Sequence, residues 1–344
     1  MGRVNRAGRI CLVPKVSGVG GMVSFQEMLV KGLAGRGIGV TYNLADTPYA
    51  AILVIGGTRN LVGLRNARRK GARILQRLDG MNWIHRKRRT GWRHFLRAEY
   101  GNLILALIRS RMADQVIYQS AFSREWWERE HGATRVEWRI LHNGADLEIF
   151  TPEGKGDLPE DHVRILLVEG AIGGGYEWGL ETAIHMAEGL VKSFQHEVEV
   201  QVVGRISSSL QNEWTGKTAI RLEFSGSVPH ERIPELDRSA HLLYAGDLNP
   251  ACPNSVIEAM ACGLPVVAFA TGALPELVTQ EAGILVPYGG DPWNLDTPDI
   301  DGLAQAANSI VIKQHDFRLA ARRRAEEAFG LDRMIEGYLE ALNL

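Results

Sequence analysis

The 344-residue chain predicts an α/β protein built from two doubly wound parallel-sheet domains in tandem. Three observations predict it. Short β-rich runs alternate with helical patterns from Ile10 to His142, the polar stretch Thr151-Pro152-Glu153-Gly154-Lys155-Gly156-Asp157-Leu158-Pro159 interrupts them, and the same alternation restarts at Arg164. Strand–helix–strand rhythm of this kind builds parallel sheets with crossover helices, and the length suits two cores rather than one.

In the first half the β-rich runs are Ile10 to Pro14, Ile38 to Tyr42, Ala51 to Ile55, Ala72 to Leu78, Gln115 to Tyr118 and Trp138 to His142. Helical patterns at Met22 to Ala34, Trp92 to Arg111 and Phe122 to Glu130 fall between them. The second half offers strands at Arg164 to Glu169, Glu197 to Val203, Ala219 to Phe224, His241 to Tyr244, Pro265 to Phe269 and Gly283 to Val286, then helical patterns at Ile300 to Ile312 and Asp316 to Leu342. The expected domains are 1–152 and 153–328, with 329–344 as a closing helix. Two such domains are expected to face each other across a cleft where strand C-termini meet.

Composition is that of a globular α/β protein, at 45% apolar and 23% charged residues. Cys11, Cys252 and Cys262 form no CxxC pair, so neither a disulfide framework nor a zinc site is indicated, and a reducing cytoplasm is the expected compartment. No apolar run approaches the ~18 residues of a membrane span, and Met1-Gly2-Arg3-Val4-Asn5-Arg6 has no apolar region after it. The net charge of -1 hides an asymmetry: residues 1–155 hold 26 Lys+Arg against 12 Asp+Glu, and the remainder is acidic. The basic half suits an anionic partner; attraction between two domains explains the split equally.

The segment with most chemistry is Cys252-Pro253-Asn254-Ser255-Val256-Ile257-Glu258-Ala259-Met260-Ala261-Cys262-Gly263-Leu264-Pro265-Val266-Val267. It reads as loop, helix, strand. Asn254 is a good N-cap, and the first-turn amides of Ser255, Val256 and Ile257 suit an anion such as a diphosphate, assisted by the helix dipole. Glu258, one turn in, offers two acceptor oxygens to the vicinal hydroxyls of a ribose. Taken alone, these residues are explained as well by an ordinary capped helix.

The full string from Glu258 to Val267, with Thr271-Gly272-Ala273-Leu274-Pro275-Glu276-Leu277-Val278, resembles the nucleotide-sugar motif of family 4 glycosyltransferases. Ser120-Ala121-Phe122-Ser123 and Leu141-His142-Asn143-Gly144-Ala145-Asp146-Leu147-Glu148-Ile149-Phe150-Thr151-Pro152 also resemble that family. The resemblance implies a GT-B fold of two Rossmann-like domains, acceptor on the first and donor on the second, and transfer of a hexosyl group with retention of configuration. It implies no metal and no cofactor, the UDP-, GDP- or ADP-sugar being a co-substrate. It also implies that the final helix crosses back onto the first domain.

Three positions depart from the family pattern. Pro250 replaces a Glu eight residues before Glu258, so Asp247, Asn249, Ala251 and Cys252 become the candidates for reading the sugar. No Arg or Lys occurs in Glu169-Gly170-Ala171-Ile172-Gly173-Gly174-Gly175-Tyr176-Glu177-Trp178-Gly179, which leaves Arg205 as the replacement cation, or simply a surface residue on a turn. Asp79, after the strand ending Leu78, stands where many members have a His, and either contacts sugar or acceptor or forms a plain Asp-Gly turn.

The loop Ser17-Gly18-Val19-Gly20-Gly21 opens a helix, and by resemblance Gly20 and Gly21 touch the donor phosphates. A dinucleotide enzyme would instead need an acid near the second strand, for which Asp46 is the candidate. The run Arg86-Lys87-Arg88-Arg89, with Trp92, Arg93, Phe95 and Arg97 close by, suits an anionic membrane surface, an anionic acceptor, or solvent alone. Four functions stay open: a nucleotide-sugar transferase, a nucleotide-sugar binder without activity, an NAD-dependent enzyme, and a nucleic-acid-binding module. Charge alone supports the last, and nucleic acid is not expected because no recognition motif accompanies it.

Overall fold

The computed structural model describes residues 8–18, 20–173, 177–279 and 281–344. The chain divides into two compact units, Met1–Asn143 with Leu331–Leu344, and Gly144–Gly330.

The first unit contains, in order, β1 (Arg9–Val13), α1 (Gly21–Ala34), β2 (Gly39–Thr41), β3 (Ala51–Ile55), α2 (Leu61–Arg69), β4 (Arg73–Leu78), α3 (Trp92–Arg111), β5 (Gln115–Tyr118), α4 (Ala121–His131) and β6 (Glu137–Ile140). Its six strands pair in the order β2-β1-β3-β4-β5-β6, all parallel. Such a sheet is covered on both faces at its centre, so β1 and β3 read as nearly continuous apolar runs: Ile10, Cys11 and Leu12 of β1, and Ala51, Ile52, Leu53 and Val54 of β3, are fully buried. Burial of each large aliphatic side chain stabilises by about 1.5–3 kcal/mol.

In the second unit are β7 (Val163–Ile172), α5 (Trp178–Phe194), β8 (Val198–Ile206), α6 (Ser208–Lys217), β9 (Arg221–Gly226), α7 (Ile233–Arg238), β10 (Leu242–Tyr244), α8 (Asn254–Ala261), β11 (Val266–Phe269), α9 (Leu274–Leu277), β12 (Gly283–Val286), α10 (Ile300–Ile312) and α11 (Gln314–Ala328). Its sheet order is β12-β11-β10-β7-β8-β9, again all parallel. Both sheets are therefore doubly wound, as the alternation of strand and helix predicts.

The last helix, α12 (Leu331–Leu342), belongs to the first unit and packs on α1. Gly32 permits the approach, since a Cβ there would lie 2.4 Å from Ile335 Cγ1. Phe25 and Tyr338 meet with ring centroids 5.4 Å apart, and Arg36 pairs with Asp332 at 2.9 Å.

Strand order fixes where each unit is open. In a doubly wound sheet a crevice forms outside the strand C-termini where successive connections depart to opposite sides. That point lies between β1 and β3 in the first unit and between β7 and β10 in the second.

Candidate nucleotide-sugar site

Helix α8 follows the switch strand β10 and is almost wholly buried from Val256 to Ala261. Its surroundings hold it from both ends. Arg322, on α11, donates from Nη1 to the Ala261 carbonyl (2.7 Å) and to the Phe150 carbonyl (2.8 Å), placing a cation at the carbonyl end of the helix, where the dipole favours one. The preceding loop packs on the turn after β11: Ala273 N donates to Pro250 O at 2.8 Å. Gly272, at φ +60°, leaves room for this contact, because a Cβ would lie 2.5 Å from Pro250 Cδ.

The helix start corrects one expectation. Asn254 is the first helical residue and Pro253 is the cap, with no side-chain capping bond. Pro253 has extended backbone and supplies no N–H, which suits a boundary. The leading amides of the first turn are consequently those of Asn254, Ser255 and Val256, one residue earlier than the sequence suggested.

Glu258 is buried, 4% exposed, and its Oε1 lies 2.8 Å from His230 Nε2. His230 is partly open and its ring packs against Phe150 at 5.2 Å. Behind them Asp237, on α7, is buried and its carboxyl is pushed well above the ordinary range, by desolvation first and by the Glu258 charge second. Neither His230 nor Asp237 was legible as a site residue. They lie 28 and 21 positions before Glu258, and no helix or strand spacing links them to it.

Asp247 and Asn249 occupy the loop after β10. Asn249 takes a left-handed conformation, φ +55°, which Asn tolerates better than most residues, and its N donates to Thr271 Oγ1. It is 4% exposed and its Nδ2 is buried with no hydrogen-bond partner among the described residues. Ala251 is half-buried and Cys252 buried. Asp247 keeps solvent-accessible surface although dense protein surrounds it, and both it and Glu169 have carboxyls pushed upward. Desolvation is the main cause; for Glu169 the Asp247 charge adds to it. The two carboxyls flank the switch point, Glu169 near the end of β7 and Asp247 just beyond β10.

β7 runs to Ile172, so the strand expected to end at Glu169 continues through Gly170 to Ile172. Gly174, Gly175 and Tyr176 of the glycine-rich stretch lie outside the described residues, as does Val19. Gly204 presses against β7 at the bulge between Val168 and Ala171: at φ +141°, a Cβ there would come 2.1 Å from the Glu169 carbonyl oxygen. Arg205 is likewise within β8 rather than beyond it; it is exposed and pairs in register with Ala171. One strand, β7, separates β8 from β10, so Arg205 stands about 10 Å across the sheet from the β10 line.

On the first unit, Gly20 precedes α1 at φ +124° and Gly21 is its first residue. The loop is pinned by Gln26, which accepts from Val16 N and donates to Pro14 O. Asp79 follows β4 and is held on one oxygen: Arg77 Nη1 donates to Oδ1 at 2.7 Å, and Gln119 Nε2 donates to the same atom. Arg77 also donates to Asn143 Oδ1 (2.9 Å) and lies over the Phe25 ring at 3.7 Å, itself 1% exposed. The Asp79 side chain is one-third exposed. An Asp-Gly turn alone would need none of this buried support. Asp46 is occupied locally, accepting from Thr41 Oγ1 (2.8 Å) and Asn43 Nδ2 (3.0 Å).

The basic run is not uniform. Arg86 is engaged with Glu99 at 2.6 and 2.9 Å, and the Glu99 carboxyl is drawn down to about 2, chiefly by that bond. Arg89 is exposed, as are Arg93 and Arg97 on α3. No helix among the described residues is long and apolar enough to cross a membrane, and they contain no group of three potential metal ligands.

Residues 164–312 match the family model described as Glycosyl transferases group 1. The fold is GT-B, and the matching segment lies wholly within its second unit. Among curated relatives, the D-inositol 3-phosphate glycosyltransferase of Mycobacteroides abscessus is 29% identical over 192 residues, 51% of this chain and 41% of that one. The GDP-mannose-dependent alpha-(1-6)-phosphatidylinositol dimannoside mannosyltransferase of Mycobacterium tuberculosis is 26% identical over 239 residues, 67% of this chain and 57% of that one. The chain thus spans less than two thirds of the length of either. Among solved structures, Anabaena HepE with UDP and glucose superposes with a TM-score of 0.71 at 16% identity, covering 97% of this chain and 99% of that one. Sucrose-phosphate synthase from Thermosynechococcus elongatus gives 0.70 at 19% identity, covering 96% and 81%.

Proposed function

We propose that this protein is a glycosyltransferase of family 4 type that moves a glycosyl group, with retention and without a metal, from a nucleotide-sugar to an acceptor hydroxyl. The observation that carries the reading is the α8 start: first-turn amides beside the switch point, with a buried carboxylate one turn in, held by His230. A diphosphate fits the amides and a ribose diol fits Glu258. In the reaction the bond from sugar C1 to the diphosphate oxygen breaks, a bond from C1 to the acceptor oxygen forms, and the acceptor proton passes to the departing diphosphate. The leaving diphosphate gathers charge, so its stabilisation is the main catalytic requirement. The amides of Asn254, Ser255 and Val256 supply it, with Arg205, one strand beyond β7, as the cation assigned to the same charge. Asp247, Asn249, Ala251 and Cys252 read the sugar.

In the first unit, proposed as the acceptor domain, the start of α1 at Gly20 and Gly21 offers a second set of amides for phosphate. Asp79, locked by Arg77 and Gln119, orients the acceptor. The reading also has support from the two curated relatives, a glycosyltransferase and a mannosyltransferase by name, and from HepE, solved with UDP and with UDP-glucose. An NAD-dependent enzyme is disfavoured by Asp46, whose carboxylate is spent on its own loop.

A binder without transfer is the second reading. It is favoured by Pro250 in place of a carboxylate and by the lack of Arg and Lys from Glu169 to Gly179, where the resemblance implies cations. Thermal-shift measurement against UDP, GDP and ADP, followed by nucleotide release from the matching sugars, separates the two. A shift with release supports transfer, a shift without release supports the binder, and no shift with any nucleotide refutes both.

A further inference from the structure

We propose that α3 is a docking surface for an anionic lipid bilayer. Trp92, Leu96, Tyr100, Leu103 and Leu107 are 70%, 57%, 49%, 62% and 38% exposed. Their spacing of four, four, three and four residues keeps them within about 80° of arc at 3.6 residues per turn, a single stripe along the whole helix. Ala98, Asn102 and Ile108 are buried on the other side, where Ile108 joins the core with Val54 and Leu64. The helix is therefore apolar on two faces, and only one is used by the fold. Scattered exposed apolar residues need no explanation, but a continuous stripe does.

Charge identifies the occupant. From residue 86 to residue 111 the sequence holds eight Lys or Arg and one acid, Glu99, whose charge is already taken by Arg86. Arg93 and Arg97 stand beside the stripe, Arg93 lying 5.3 Å from the Trp92 ring centroid, and Arg89 is exposed just before the helix. An interfacial helix combines these features: aliphatic residues toward the acyl boundary, Trp and Tyr at the headgroup level, and Arg on anionic phosphates. An apolar protein partner would have no use for the cationic border. The surface belongs to the first unit alone, and the inference stands whatever reaction the protein performs.

Co-sedimentation of the full chain with vesicles tests it. Binding to vesicles of phosphatidylcholine with one part phosphatidylglycerol should exceed binding to phosphatidylcholine alone by about tenfold and should fall steeply between low and high salt. Leu96→Glu and Leu103→Glu should each weaken binding about tenfold or more, whereas Leu319→Glu, on an exposed position of the second unit, should leave it unchanged. Unchanged melting temperatures would show that the variants fold. Failure to bind anionic vesicles overturns the proposal. So does binding that the stripe variants do not alter, or dimers in solution that Leu103→Glu disperses while vesicles capture nothing.

Discussion

His230 and Glu258 are joined by a 2.8 Å hydrogen bond that links the loop after β9 to a buried helix turn. The bond places a carboxylate inside a hydrophobic core, among Val256, Ile257 and Met260, without leaving it unsatisfied. Burying an unpaired carboxylate would be prohibitive. His230 therefore makes Glu258 tolerable and fixes which way it points, while the neighbouring Asp237, with its carboxyl pushed upward, avoids a second buried charge.

If Glu258 receives a ribose, Glu258→Ala should weaken binding of the responsive nucleotide by about 10- to 100-fold, the range of a hydrogen bond to a charged group. His230→Ala should weaken it less, about three- to tenfold, and His230→Gln, which retains a donor, should recover part of the loss. Calorimetric titration with the nucleotide reads all three. Equal affinity in the wild type and Glu258→Ala would remove the ribose assignment.

The relation between sequence and structure is uneven along this site. Strand and helix periodicity exposed both parallel sheets, because β3, β10 and β11 are unbroken apolar runs and α3 repeats apolar residues at helical spacing over twenty positions. Glu258 was legible because a helix start is a local pattern. The cap was misplaced by one residue because Pro253 terminates the loop as effectively as Asn254 would cap it. His230, Asp237 and the Arg77–Asn143 bond were illegible for a different reason: they join residues 21 to 66 positions apart through the packing of separate elements, and such pairs leave no periodic trace. β7 also outran its apolar run, since Ala171 and Ile172 rejoin the ladder after a bulge at Glu169 and Gly170 that Gly204 permits.

Asp79 and Arg77 should separate function from stability. Arg77→Ala strands Asp79 and Asn143 and empties a site against Phe25, so unfolding in denaturant should show a loss of about 3–5 kcal/mol. Asp79→Asn retains an acceptor oxygen and should cost much less stability, yet lower turnover by about 100-fold if the carboxylate orients the acceptor. Wild-type turnover in Asp79→Asn would leave it the purely structural role of satisfying Arg77.

Gly272 provides a steric test of the loop proposed to read the sugar. Alanine there meets Pro250 at 2.5 Å and takes an unfavourable φ, so Gly272→Ala should destabilise by more than about 2 kcal/mol and raise the KM for the donor by displacing Asn249 and Pro250. Gly216→Ala is the control. It lies in α6 with nothing within 4 Å of its Cβ and should stabilise by about 0.4–1 kcal/mol. Similar melting curves for the two variants would show that the loop yields and that its close contact is unimportant.

His241 predicts how the second unit responds to acid. Arg164 N donates to His241 Nδ1 at 3.0 Å, which requires that nitrogen to be unprotonated, and the imidazole is pushed down to about 4 by desolvation first and by the Arg318 charge second. An unfolded chain protonates the same histidine near 6.5. Since the unfolded state binds the proton more readily, the stabilisation is complete above about pH 6.5 and is lost as pH falls from there through 4. Its size is about 2–3 kcal/mol, reduced from the full shift because the side chain is only partly buried. Denaturant unfolding across pH 4 to 7 should show this slope in the wild type and not in His241→Asn, in which an amide oxygen still accepts from Arg164. Parallel slopes, or a His241 resonance titrating near 6.5, would place the acid sensitivity elsewhere.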